Sequence, residues 1–222
     1  MNIFAVYKPK GPTSHDIINK IRKITGVKKV GHAGTLDPLA KGVLVVAVGR
    51  EATKKLKEIV SAEKEYIALI RLGANSSTDD EEGVKEKITV FKKPLRKEIQ
   101  TAIKKFIGKI EQTPPIYSAL KVRGRAAYKY ARAGKEIILK PRPVEIKNIR
   151  LLNYRWPYLK ICVTTGPGVY IRALARDLGQ ELKTGGYLKA LERTRVGEFS
   201  KRNSLKNLQK LAVWPSFGII KL

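Results

Sequence analysis

Six consecutive apolar residues, Val43-Leu44-Val45-Val46-Ala47-Val48, follow closely on the irregular stretch Gly31-His32-Ala33-Gly34-Thr35-Leu36-Asp37-Pro38-Leu39-Ala40. A short apolar run without polar alternation predicts a strand buried on both faces, so the preceding loop is tied to the interior of a sheet. Its two glycines let the backbone approach another molecule at little steric cost. Pro38 steers Asp37 toward extended geometry and keeps its side chain out of a helix. A carboxylate anchored in this way suits a nucleophile. Read on local spacing alone, the same residues equally suit a plain turn opened by Asp-Pro.

The remaining punctuation predicts alternating strands and helices. Met1 to Lys8 reads as a strand. Thr13-Ser14-His15-Asp16 has capping-box form, and Ile17, Ile21 and Ile24 continue a helix over 14–25 that Gly26 ends. A short helix is expected over 53–60 and a strand over 65–72. Residues 75–83, with four successive acids at 79–82, read as a solvated loop. Pro94 opens a helix whose Leu95, Ile99, Ile103 and Phe106 face the core and which Gly108 ends. Strands are expected over 117–122, 144–152 and 159–165, and helices over 125–132 and 170–182. The last of these places Ile171, Leu174, Leu178 and Leu182 on one face. No linker, repeat or βαβ rhythm appears. The expectation is an α+β fold in one domain over 1–222, a mixed, largely antiparallel sheet flanked by helices.

Charge narrows the partners. Lys and Arg total 46 against 19 acids, a net of +27. Residues 1–60 carry 12 basic and 4 acidic side chains, 61–120 carry 11 and 9, and 121–222 carry 23 and 6. Heat-adapted surfaces balance Lys with Glu in ion-pair networks. Here the acids are missing, and a polyanion, nucleic acid, is the natural partner. The single Cys162 excludes an intrachain disulfide and reads as a small core residue, in keeping with a reducing cytoplasm. One Cys and two His (His15 and His32) are too few for a structural zinc site, and no metal is expected. Neither a P-loop nor a dinucleotide-binding glycine fingerprint is present. No apolar run approaches the roughly 20 residues that span a bilayer, so no membrane partner is expected. The N-terminus is not of signal-peptide form.

Several segments form an ordered set. Lys8-Pro9-Lys10-Gly11-Pro12-Thr13-Ser14 precedes the Asp37 loop. Lys64-Glu65-Tyr66, Pro114-Pro115-Ile116-Tyr117-Ser118-Ala119-Leu120-Lys121-Val122, Gly168-Val169-Tyr170-Ile171-Arg172-Ala173-Leu174-Ala175-Arg176-Asp177-Leu178-Gly179 and Leu191-Glu192-Arg193-Thr194-Arg195-Val196-Gly197 follow. In this order, over about residues 2 to 200, they resemble the TruB-type pseudouridine synthases. The resemblance implies the pseudouridine synthase fold with a central cleft, no cofactor or metal, and isomerisation of uridine 55 in the T-arm of transfer RNA by a monomer. It implies that the target base leaves the stack, since the glycosidic bond is unreachable in a paired arm.

Carried onto this sequence, the resemblance makes Asp37 the nucleophile and Arg172 its partner across the cleft, holding the carboxylate ionised. Tyr66 stacks on the flipped uracil, Tyr170 and Leu191 wall the base pocket, and His32 inserts into the RNA without needing charge. Lys8, Pro9 and Gly11 brace the Asp37 loop. Lys8, Lys10, Lys20, Arg22, Lys28 and Lys29 are also candidates for phosphate contacts. Thr165-Gly166-Pro167-Gly168-Val169-Tyr170 departs from the family's more usual Cys-Ser-x-Gly-Thr-Tyr. The chain ends at Leu222, too soon for the C-terminal PUA domain common in the family, so the positive C-terminal third is expected to supply part of the RNA grip. Two other readings stand beside this one. One is the catalytic subunit of a guide-RNA ribonucleoprotein, and the other is a non-catalytic RNA-binding or folding factor.

Overall fold

Residues 40–48 form a strand in which only Lys41 is exposed, as the unbroken apolar run requires. In the computed structural model, residues 2–213 are described, apart from Ala119, Arg123 and Glu136. The chain order begins β1 (Ile3–Lys8), α1 (Ser14–Thr25), β2 (Val30–Ala33), β3 (Ala40–Val48), α2 (Arg50–Lys54), α3 (Leu56–Ser61) and β4 (Lys64–Leu72). It continues with β5 (Ala74–Ser76), β6 (Lys85–Lys87), α4 (Arg96–Lys104), β7 (Gly108–Gln112), β8 (Lys121–Val122), β9 (Arg125–Ala126) and α5 (Ala127–Arg132). The last elements are β10 (Arg142–Arg155), β11 (Tyr158–Thr165), α6 (Ile171–Glu181), β12 (Gly186–Val196) and β13 (Phe199–Ser200), with short 3-10 turns after them. The architecture is α+β, with a mixed and mostly antiparallel sheet. Two compact units form: residues up to Tyr66 with those from Leu191 onward, and Ile67–Ala190.

In the first unit, β3 pairs antiparallel with β1 (Lys8 opposite Gly42) and with β2 (His32 opposite Val46). It pairs in parallel with the end of β12, setting Leu191 beside Ala40 and Arg193 beside Gly42. Ala5, Ala33, Val43, Val45 and Val196 form one buried cluster under this arrangement. The α1 cap is complete. The Thr13 hydroxyl accepts from the Asp16 amide, Asp16 accepts from the Thr13 amide, and Gly26 closes the helix in the left-handed region. The single helix expected over 53–60 is two short ones, α2 and α3, which meet at Lys55.

In the second unit the strand order is β4-β11-β10-β7, and β10 is antiparallel to both β11 and β7. Helix α4 lies against β10 and α6, burying Ile99, Ala102 and Ile103. Leu95, expected on that buried face, is the N-cap instead and is 60% exposed, because Pro94 starts the turn before the helical period begins. The strand expected over 117–122 is reduced to β8, whose partner is β9, and the helix expected from Arg125 starts at Ala127. Residues 75–83 are not a solvated loop. They open with β5, and Asp80 is 3% exposed because α6 supplies guanidinium partners for Asp79 and Asp80.

Candidate active-site residues

Asp37 is half-buried in the β2–β3 loop, and the first unit fixes that loop at several points. The Ser14 hydroxyl donates to the Leu36 carbonyl at 3.0 Å and accepts from the Leu36 amide at 2.8 Å. The Gly11 amide donates to the Pro38 carbonyl at 2.8 Å, and the Ala40 amide to the Asp37 carbonyl at 3.0 Å. Arg193, only 1% exposed, donates from Nη2 to the Gly34 carbonyl at 3.0 Å and from Nε to the Val43 carbonyl at 2.7 Å. Leu36 and Leu39 are buried on either side of Asp37. Two buried leucines and this set of backbone anchors leave the carboxylate little freedom, which is what a positioned reacting group needs. Gly34 adopts φ +83°, and a Cβ there would meet Arg193 Nη1 at 3.4 Å and Lys64 Cε at 3.7 Å.

His32 lies on β2 beside this loop, and its Nδ1 is buried with no hydrogen-bond partner among the described residues. Burial first, and the Arg193 charge second, hold its pKa below the ordinary value, so the imidazole is neutral near physiological pH. Tyr66 sits on the buried face of β4, 7% exposed, two residues after Lys64. Lys64 Nζ donates to the Val60 and Ala62 carbonyls at the end of α3, and burial together with Arg193 lowers its pKa to about 8. Leu191 is 8% exposed and paired to Ala40, three residues beyond Asp37. Lys8 is wholly buried and donates to the Pro9 and Pro12 carbonyls at 3.0 and 2.7 Å. It therefore braces the loop segment around Gly11 and does not face phosphate at the surface.

The second unit holds Arg172 and Tyr170 at the start of α6. Arg172 is 6% exposed. Its Nη1 stands 3.5 Å from Asp80 Oδ2 and donates to the Thr78 carbonyl, while Nη2 donates to the Tyr117 carbonyl at 2.9 Å. Asp80 is in turn held by the Thr78 hydroxyl at 2.5 Å and the Glu82 amide at 3.0 Å. One turn along α6, Arg176 binds Asp79, Asp177 and the Thr113 carbonyl. Asp79, at φ +60°, takes a left-handed conformation that aims its carboxylate at Arg176. Burial raises the pKa of Asp79 against the lowering effect of the two arginines. Tyr170 is clamped through its backbone by Gln112, whose side-chain amide both accepts from and donates to it. The Arg142 guanidinium lies 5.0 Å from the Tyr170 ring centre.

Sequence reasoning missed Asp80 and Arg193. The signal for Asp80 was present, because adjacent acids at 79 and 80 answer arginines at 172 and 176, four apart on one helix face. Arg193 gave no signal, since a charged residue in a polar-looking segment reads as surface. Among the described residues, no three His, Cys, Asp or Glu side chains gather as a metal site. No described helix is long and apolar enough to cross a membrane.

Residues 22–171 match the family model for the N-terminal domain of TruB family pseudouridylate synthases, and residues 172–216 match that of the tRNA pseudouridylate synthase B C-terminal domain. The chain is 45% identical to tRNA pseudouridine synthase B of Clostridium novyi, over 94% of its own length and 71% of that protein. With the Corynebacterium diphtheriae protein of the same name the identity is 45%, over 96% and 73%. Among solved structures, a chain of a Cbf5-Nop10-Gar1 complex superposes with a TM-score of 0.74 at 29% identity, covering 98% of this chain and 56% of that one. The matched regions contain the Asp37 loop, Tyr66 and Tyr170 in the first case and Arg172 and Leu191 in the second. With most of its length matched and these side chains inside the match, the chain belongs to the TruB family of pseudouridylate synthases.

Proposed function

We propose that this chain isomerises uridine to pseudouridine in transfer RNA, with uridine 55 of the T-arm as its target and Asp37 as the nucleophile. The supporting observation is the Asp37 loop, a half-buried carboxylate whose flanking backbone is held by Ser14, Gly11 and Arg193. In the reaction the C1′–N1 bond breaks and a C1′–C5 bond forms. The hydrogen on C5 leaves and N1 takes one up, so no atom is gained or lost. Asp37 carries the transient covalent adduct between the two halves of this exchange. It must be ionised to do so, and Arg172 is the cation assigned to keep it so. Asp80 and the carbonyls of Thr78 and Tyr117 hold that guanidinium in one orientation.

The target base is flipped out of the arm. Tyr66 stacks on it, Tyr170 and Leu191 form the walls of its pocket, and His32, neutral at physiological pH, fills space in the RNA by stacking. The chain acts as a monomer and without a guide. Its identity of 45% to proteins named tRNA pseudouridine synthase B, against 29% to the chain of the Cbf5-Nop10-Gar1 complex, favours this over the guide-RNA reading. Purified protein and an unmodified transfer-RNA transcript decide the matter. The expected result is pseudouridine at one position with no guide RNA added, and none from Asp37→Asn although that variant still binds. No product from the wild type alone, or full product from Asp37→Asn, would overturn the proposal.

A further inference from the structure

Side chains on β4 alternate, so that Tyr66, Ala68, Ile70 and Leu72 are buried on one face while Leu69 and Arg71 are half-exposed on the other. On that second face, at the turn between β10 and β11, Leu69, Asn153, Arg155, Trp156, Tyr158 and Lys160 line a cavity of about 400 Å³. This volume lies at the small end of ligand pockets, room for a base with its sugar and phosphate. The chemistry of the lining is one-sided. Tyr158 is 43% exposed, Arg155 and Lys160 are exposed, and no carboxylate contributes to the wall. Among the described residues neither Arg155 nor Lys160 has an ion-pair partner, and the nearby Glu81 is taken up by Lys189 at 2.5 Å. Arg71 reaches the Tyr187 hydroxyl at 3.4 Å, and Lys85 lies 5.0 Å from the Tyr187 ring centre, adding positive charge to the same region.

Two features make this a platform and not merely a charged patch. The Trp156 ring packs within 3.3–3.6 Å of where a Cβ on Gly73 would stand, so its plane is fixed by the backbone beneath it. The Leu72 amide donates to the Pro157 carbonyl at 2.8 Å, fastening the turn to the end of β4. A packed indole and an exposed phenol ring beside uncompensated cations match unpaired RNA, whose bases stack on aromatic faces while its phosphates find the charges. An acidic peptide would use the cations and leave the rings without a purpose.

We propose that this face of β4, β10 and β11 is a second RNA-docking surface, taking an unpaired nucleotide of transfer RNA from outside the T-arm. Its base stacks on Tyr158 and Trp156 and its phosphates meet Arg155 and Lys160. The alternation of β4 puts Tyr66, which the proposed function assigns to the target base, on the face opposite Leu69, so the flipped base itself does not occupy this surface. This rests on transfer RNA being the substrate.

The test compares full-length transcript with the isolated T-arm stem-loop, using the double variant Arg155→Glu/Lys160→Glu and, separately, Tyr158→Ala. Losing two phosphate contacts should weaken binding of the full transcript roughly tenfold and reduce the slope of log K against log salt by about 1.5. Tyr158→Ala should weaken it by about fivefold or more while leaving that slope nearly unchanged. KM for the transcript rises, kcat holds, and affinity and turnover on the stem-loop stay at wild-type values. Equal weakening on both RNAs, or no change on either, overturns the second surface. Wild-type protein that modifies neither RNA would instead overturn the parent function, so the two failures are distinct.

Discussion

Ser14→Ala removes one oxygen that holds the Asp37 loop through both polar groups of Leu36. Ser14 is 2% exposed and Leu36 3%, so water cannot replace the lost partner without opening the site. A buried amide left unsatisfied costs about 1–3 kcal/mol. Alanine returns roughly 0.5 kcal/mol through helix propensity at the start of α1. The Thr13–Asp16 cap is untouched, and the net loss is about 0.5–2.5 kcal/mol. For a chain of this size each kcal/mol moves Tm by about 2–4 °C, so calorimetry should show a fall of roughly 1–10 °C. The kinetic effect should exceed the thermal one. Asp37 follows Leu36 directly, and a carboxylate displaced by about 1 Å loses on the order of a hundredfold in rate. Single-turnover assays should therefore show a large drop in the chemical step with RNA affinity retained. A Ser14→Ala protein with unchanged Tm and an unchanged chemical step would refute the claim that this hydroxyl positions the nucleophile loop.

What the sequence made legible was local. The α1 cap, the buried strand of 43–48 and the Asp37 loop each follow from residues within a few positions of one another, so periodicity and cap chemistry suffice for them. The tyrosine and arginine positions came from the ordered motifs, because Tyr66 and Tyr170 taken alone are ordinary packed aromatics. What stayed hidden was non-local. Strand β12 contains Lys189, Glu192, Arg193 and Arg195, a polar-looking run, yet it pairs with β3. Arg193 is buried because the carbonyls of Gly34 and Val43 accept its protons, a compensation invisible until β12 and β3 are paired. The acids at 79–81 looked solvated for the same reason, since their partners lie on α6 and on Lys189 at the start of β12. Leu95 failed in the opposite direction, its apolar character outvoted by Pro94 and the geometry of a helix start.

Asp80→Asn removes the carboxylate 3.5 Å from Arg172, and disrupting a buried pair costs about 3 kcal/mol. Denaturant unfolding should report that loss, and kcat should fall more than KM rises. Gly42→Ala should fail to fold or lose the β3–β12 pairing, because φ is +117° and a Cβ there would stand 2.2 Å from the Arg193 carbonyl oxygen. Circular dichroism of the soluble fraction reads this directly. Lys64 gives a pH signature whose sign is fixed by its surroundings. Its pKa falls from 10.5 to about 8 in the folded chain, first through burial and then through Arg193. Between these values the unfolded chain binds the extra proton, so stability must rise with pH across that window, and below about 8 the full cost of holding the charge is present. That cost is on the order of 2–3 kcal/mol. Above about pH 10 Tyr7 acts in the other direction, because burial and its hydrogen bond to Glu192 push its pKa up to about 12. Urea unfolding from about pH 7.5 to about 10 should therefore show stability climbing more in the wild type than in Lys64→Met, which has no proton to lose. Parallel curves would mean that the ammonium near Gly34 is solvated after all, and that the carbonyls of Val60 and Ala62 do not hold it inside.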